Sequence, residues 1–348
     1  MGSSMRVQGL ASVVLSGLLL LLSFPGISAA AQGATLARVK ARGTLACGTN
    51  AHLAGFAQAD PSGDWAGFDV DYCRAIAAVI FNDPSKVSFV SLAATDRLSA
   101  LQSGKIDVLA DNIPWTLSRE PGRGVLFTAI NFFDGEGFMV HQKLNISSVL
   151  ELSGGSICVQ QGTTNELDLA DFFHAHQMRY QAVGFSTADA ALKAYANGAC
   201  DAIASESAWL YAQRVSLSDS GDNVILPEIV SKEALGLLVR QGDDQWFNLV
   251  KWVHYAMVDA EDMGVSSQNV DGKITSDDPD TRELLGVEGD FGEALGLPKD
   301  WAYRLIKLVG NYGEVFDRNL GDGSNLKMKR GLNALWSRGG LQYAPPVR

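Results

Sequence analysis

Histidine is scarce, with five residues in 348, and cysteine scarcer still at four, none in a CxxC spacing. That excludes zinc-ribbon and dithiol redox chemistry. His174 and His176 lie two apart in a helical pattern, so they point to different faces and make no metal pair. Basic residues are also short, 28 Lys and Arg against 39 Asp and Glu, for a net charge of −11 without a basic cluster. Such a chain repels phosphate backbones, which excludes nucleic acid as a partner. GxSxG, HExxH and Walker patterns are missing; GDGSN at 321–325 and the late GGLQ are turns, not phosphate cradles. Beyond residue 24 there is no apolar run long enough to cross a bilayer.

The one long apolar run is at the start. MGSSMRVQGLASVVLSGLLLLLSFPGISAAAQG has Arg6, an apolar stretch from Val13 to Phe24 and small residues at Ser28–Ala31. That layout predicts a secretory signal peptide over residues 1–31, cleaved near Ala29 to Ala31. The next cysteine is Cys47, so a lipid-modified N-terminus is not expected, and the product should diffuse freely outside the cytoplasm. Roughly 317 residues remain, room for two medium domains or one large one. In an exported chain four cysteines suggest two disulfides among three possible pairings. The local pairing is Cys47 with Cys73 and Cys158 with Cys200. It closes loops of about 27 and 43 residues, each adding roughly 3 to 4 kcal/mol by restricting the unfolded chain.

Past the leader, short β-branched runs alternate with helical patterns. LACGT (45–49), VSFVSLAA and KIDVLAD read as strands; FDVDYCRAIAAVIF (68–81) and TDRLSALQSG read as helices, the second capped by Thr95. The order then recurs. SICVQQGTT (156–164) is a strand. TTNELDLADFFHAH is a helix with Thr163 and Glu166 at capping-box spacing. TADAALKAYANGAC is a helix and DAIASE a strand. SALQSGKIDVLAD (99–111) and KAYANGACDAIAS (193–205) align Gly104 with Gly198 and Asp107 with Asp201; LACGTN and CVQQGTTN make a weaker pair. Alternation of this kind predicts an α/β fold with mostly parallel sheets covered by helices, here built as two similar lobes.

Ligands of open parallel sheets collect beyond the carboxyl ends of the strands. In the first lobe that edge carries Asp111, Asn112 and the stretch NIPWTLSRE, ending in Arg119 and Glu120. In the second it carries Ser205, Glu206 and Ser207, with Gly162, Thr163 and Thr164 at a helix start. A cation on one rim faces a carboxylate and helix N–H groups on the other. An α-amino acid, with carboxylate and ammonium on one carbon, matches that arrangement.

At these residues the sequence resembles the periplasmic solute-binding proteins of polar-amino-acid ABC transporters, most closely the general L-amino-acid binders. The resemblance runs through VKARGTLACGTN, GFDVDYCRAIAAVIF, RLSALQSGKIDVLADN, WTLSRE, DGEGFMV, CVQQGTTNELDLADFF and LPEIVSKEALG. It continues through VRQGDDQWFNLVKWVHYAM, VGNYGEVFDRNLG and RGLNALWSRGGLQYAPP. It implies a type II two-lobed fold with two hinge strands, crossing at DGEGF (134–138) and EALGL (233–237), and a helical C-terminal extension. Residues 32–137 and 235–348 would form the larger lobe and 138–234 the smaller. It further implies a monomer without cofactor or enzymatic activity, whose partners are an amino acid and the membrane permease subunits of an ABC transporter.

Within that resemblance Arg119 and Thr116, with Asn112 beside them, hold the ligand carboxylate. Gly162, Thr163 and Thr164 assist from the second lobe, and Glu206 accepts the amino group. Phe56 and Trp115 are the aromatic residues expected to cover the ligand side chain, Trp65 less so. Arg97 either pairs with an acid or greets an acidic side chain. Two departures bear on specificity. Glu206 stands where the family has Asp, moving the carboxylate by about 1.5 Å. Pro114 stands where the family has Ser or Thr, and removes a donor to the carboxylate. Alternatives are a sensor for another small carboxylate, or a lyase or dehydratase on the same fold with Glu206 as general base.

Overall fold

The computed structural model describes residues 1, 2 and 33–347 except 94 and 219; the predicted signal peptide falls almost wholly outside them. Two five-stranded sheets carry the fold. In the first, the spatial order is Val87–Ser91, Leu45–Thr49, Val108–Leu109, Glu233–Arg240, Val125–Asp134. In the second it is Gln181–Phe185, Ser156–Gln160, Ala202–Glu206, Glu136–His141, Asn223–Ile225. The first three strands of each sheet are parallel, and the fourth runs antiparallel to the third. The fold is thus α/β with two lobes of the same strand order.

The repeat has a physical basis. Gly104 and Gly198 both adopt left-handed φ, 79° and 76°, where a helix ends and only glycine turns without strain. Three residues later, Asp107 accepts the Ala46 N–H at 2.9 Å and Asp201 accepts the Ser156 N–H at 2.8 Å. Each Asp also returns its own N–H to the same residue's carbonyl, at 2.8 and 2.9 Å. One carboxylate therefore pins the start of the central strand to the third strand in both lobes. This equivalence sets Ala46 against Ser156, so Cys47 matches Ile157, not Cys158. The cysteines pair locally, Cys47 with Cys73 and Cys158 with Cys200.

Helices form where the apolar spacing predicts them; Phe68–Phe81 matches residue for residue. Thr95 is not the cap of the next helix. Its hydroxyl donates to Asp96 Oδ1 at 3.1 Å, and Asp96 is the N-cap of Arg97–Ser103. Apolar residues pack both faces of each sheet, Phe138, Ile157 and Phe173 on one side of the second and Met139, Tyr195 and Leu210 on the other. C-terminal helices such as Asp244–Asp262, Trp301–Leu308 and Tyr312–Asn319 join the core of the first lobe. Phe56 belongs to that core. It is fully buried and meets Phe68 and Phe132 edge-to-face at 6.1 and 5.1 Å, so it does not cover a ligand.

The chain crosses between lobes at Gly135, which joins Val125–Asp134 of one sheet to Glu136–His141 of the other, and returns at Glu233 opposite Asp134. A Cβ at Gly135 would lie 2.5 Å from Ser231 O, so only glycine lets the two crossings pass. Two acids flank it. Asp134 is pushed up to about 8 by burial, against Gly135 and Ala208 N–H groups. Glu136 is pushed up to about 9 by burial and by Asp168, Glu206 and Glu233.

These features set two tests. Asp107 is fully buried and ion-paired to Arg42 and Arg38, whereas Asp201 is exposed. Asp107→Asn should cost about 2 kcal/mol and Asp201→Asn about half that, read as unequal drops in melting temperature; equal drops would contradict the burial argument. Asp134 and Glu136 hold protons in the folded state that the unfolded chain releases above about pH 4 to 5. Stability should therefore fall as pH rises through 8 to 9, and Glu136→Gln should flatten the decline between pH 7 and 9. Below about pH 6.5 the buried neutral His254, held down to about 3 by desolvation, works in the opposite sense. A Glu136→Gln curve parallel to the parent's from pH 7 to 9 would refute the buried-acid account.

Candidate functional site

Both lobes turn the carboxyl ends of their parallel strands toward one cavity of about 730 Å³. From the first lobe come Asn50, Leu53, Arg97 and the run Asp111, Asn112, Pro114, Trp115, Thr116, Arg119. The second lobe supplies Thr164, Asp168, Glu206 and Trp209, and the return crossing Ser231, Lys232 and Glu233. Of the residues predicted from sequence, Arg119, Asn112, Thr116, Trp115, Thr164 and Glu206 meet at this cavity.

The arginine loop is built on the return crossing. Pro114 bridges Leu235, and Trp115 donates its N–H to Ala234 O at 2.7 Å. Proline fits because its neighbour makes the hydrogen bond that it cannot. The Pro114 carbonyl in turn accepts from Arg119 Nη1 at 2.9 Å, which orients the guanidinium at the cavity wall. Thr116 O accepts the Arg119 N–H at 3.0 Å, closing the turn. Asn112 sits at φ 48°, a left-handed conformation that asparagine tolerates. Its backbone N–H faces the Asp69 carboxylate. Trp115 stacks on Phe127 at 5.2 Å and donates Nε1–H to Glu120 Oε2 at 2.8 Å, so its ring is held at the rim. Trp65 instead stacks on Phe89 at 5.1 Å, away from the cavity.

On the opposite wall Glu206 ends its strand and is the N-cap of Ser207–Arg214; the Ser205 hydroxyl donates to its Oε2 at 3.0 Å. Thr164 and Asp168 lie four apart on the helix Thr164–Ala175 and so share its cavity face. Gly162 and Thr163 do not reach the cavity wall. The Gly162 N–H donates to Glu166 Oε2 at 2.8 Å, and the Thr163 hydroxyl donates to Gln160 O at 2.8 Å while accepting from Glu166 N. Their hydrogen-bonding groups build the helix start: Thr163 caps it at the predicted spacing from Glu166, and the Glu166 carboxylate reaches back to the Gly162 N–H instead of that of Thr163.

Asp168, Glu233, Lys232 and Trp209 were missed from sequence. The four-residue spacing from Thr164 was a usable signal for Asp168, and position at the second crossing was one for Glu233. Glu233 is raised to about 7 by burial, then by Glu206, with Arg119 opposing and Asp168 adding. Burial and the Arg97 charge lower the Arg119 pKa, and Glu233 raises it. The cavity thus sets a guanidinium on the first lobe against crowded carboxylates on the second lobe and the crossing. That arrangement attracts a cationic group toward Glu206, Asp168 and Glu233 and an anionic group toward Arg119.

Residues 45–268 match the family model for bacterial extracellular solute-binding proteins, family 3. The chain is 51% identical to the general L-amino acid-binding periplasmic protein AapJ of Rhizobium johnstonii, over 92% of this chain and 95% of that one. It is 47% identical to the glutamate/glutamine/aspartate/asparagine-binding protein BztA of Rhodobacter capsulatus, over 92% and 96%. A solved structure, an ABC transporter periplasmic binding protein from Brucella ovis with glutathione bound, is 52% identical and superposes with a TM-score of 0.80, over 90% of this chain and 99% of that one. Its matched family span, its near full-length relatives and its paired sheets together make this chain a member of family 3 of the bacterial extracellular solute-binding proteins.

Proposed function

We propose that this protein is the periplasmic solute-binding component of an amino-acid ABC transporter, closing two lobes around a free zwitterion. The observation that carries the reading is Arg119 and Glu206 on opposite walls of one cavity. Arg119 forks onto the α-carboxylate. The α-ammonium is met by Glu206, with Asp168 and Glu233 near enough to share its charge. Thr116 and Asn112 line the carboxylate side, and Thr164 stands at the start of a helix whose dipole favours an anion. The relatives that match nearly end to end are named as amino-acid-binding proteins of transport systems, which supports the same solute class.

In this reading residues up to Gly135 and from Glu233 onward form one lobe, and the segment between them the other. Solute lands first on Arg119, and the second lobe then swings in. Closure is favoured only by contacts that exist in the closed state, so occupancy is displayed as lobe geometry to the permease subunits. The near-neutral Glu233 is the feature a lyase would use as a base. Burial, then crowding by Glu206, explains its raised pKa without chemistry.

Two substitutions test the assignment. Arg119→Ala should weaken amino-acid binding by about two to three decades in calorimetry and leave the melting temperature of the empty protein within a few degrees. Unchanged affinity would remove Arg119 from the site. Glu206→Gln should weaken amino acids by about tenfold or more, yet barely affect matching carboxylates that lack the amine. Equal losses would argue against an ammonium contact there.

A further inference from the structure

Arg119 and Glu206 account for the zwitterion, and the same cavity holds a second acid–base pair. Asp111 lies two residues past the third parallel strand, Val108–Leu109, and Arg97 opens the helix Arg97–Ser103. Arg97 Nε lies 3.3 Å from Asp111 Oδ2, and its Nη1 donates to the Asp111 backbone carbonyl at 3.4 Å. The Asp111 side chain is 1% exposed, that of Arg97 23%, and both line the cavity. Neither Asp111 oxygen has a partner at hydrogen-bond geometry among the described residues. The Asn50 N–H faces the carboxylate and favours its charge without closing a hydrogen bond. A buried carboxylate at the wall of a ligand cavity, lacking a good donor, invites one from the ligand.

The charges here add to zero. Burial raises Asp111 to about 6 while Arg97 opposes, so the carboxylate is ionised above neutral pH. Asp69, 4% exposed beside it, has its pKa raised by burial and then by Asp111, which favours its neutral form. A ligand carboxylate entering this end would face Asp111 and meet an Arg97 charge already compensated. It would lose hydration without gaining a net counter-charge. A carboxamide meets both groups: its N–H donates to Asp111, and its carbonyl accepts from the Arg97 fork.

We propose that Asp111 and Arg97 form the side-chain subsite of this cavity, selecting amino acids with an uncharged hydrogen-bonding side chain, carboxamides above all, over acidic ones. The subsite rests on the amino-acid reading of the same cavity. Its specificity element is Asp111, because it cancels the Arg97 charge that would otherwise welcome an acidic side chain.

The test is calorimetry at pH 7.5 with alanine, glutamine and glutamate on ligand-stripped full-length mature protein. Glutamine should bind about tenfold or more tighter than glutamate. Asp111→Asn should shift the glutamine-to-glutamate ratio by about tenfold or more toward glutamate. If Asp111→Asn does not melt cooperatively, Arg97→Gln serves instead. It keeps the acid and removes the cation, and should raise the ratio by about threefold or more. Alanine bound as in the parent with an unmoved ratio overturns the subsite alone. No binding of any of the three overturns the amino-acid reading and the subsite together.

Discussion

A free amino acid carries its two charges on one carbon, so its receptor must bring a guanidinium and a carboxylate to opposite sides of that carbon. In this molecule Arg119 and Glu206 come from different sheets. The Arg119 guanidinium belongs to a loop beyond the first sheet, and the Glu206 carboxylate to a strand end of the second. Everything between them is arranged to make the two edges face: parallel strands of matching order, carboxyl ends toward the cavity, and two crossings that pass at Gly135. The arginine loop is fastened to the return crossing through Pro114 and Trp115. The return crossing and the Arg119 loop are therefore joined directly, backbone to backbone.

The crossings also concentrate acids. Asp134, Glu136 and Glu233 lie in or beside them, and Glu206 and Asp168 stand across the cavity. Burial without cations makes the deepest of these hold protons, as the raised values of Asp134 and Glu136 record. A neutral acid in the hinge lowers stability less than a charged one would. Of the acids at the cavity, Glu233 is raised to about 7 by burial and by Glu206, and so is poised between the two conditions.

Much of this was legible in the sequence, for local reasons. Strand and helix periods, the glycine that ends each helix and the aspartate three residues on are short-range signals, and the structure gives both aspartates one job. Arg119, Glu206, Asn112, Thr116, Trp115 and Thr164 follow from strand ends facing a cleft. Phe56 is ambiguous in sequence because an aromatic in a short turn looks alike whether it points into a cleft or a core. Only the approach of Phe132, far along the chain, decides it. Gly162 and Thr163 were misread although the signal was present. The Thr163–Glu166 spacing that located the helix start also meant those groups would be occupied by it. The pairing of Arg97 with Asp111 was open in sequence, since fourteen residues and a strand separate them.

The most direct test is a crystal structure of the protein with a bound L-amino acid. The account predicts the α-carboxylate on the Arg119 guanidinium, the α-ammonium on Glu206, and the two lobes closed on both. A ligand seated elsewhere, or one whose amino group lies away from Glu206 while Arg119 keeps only Pro114, would contradict it.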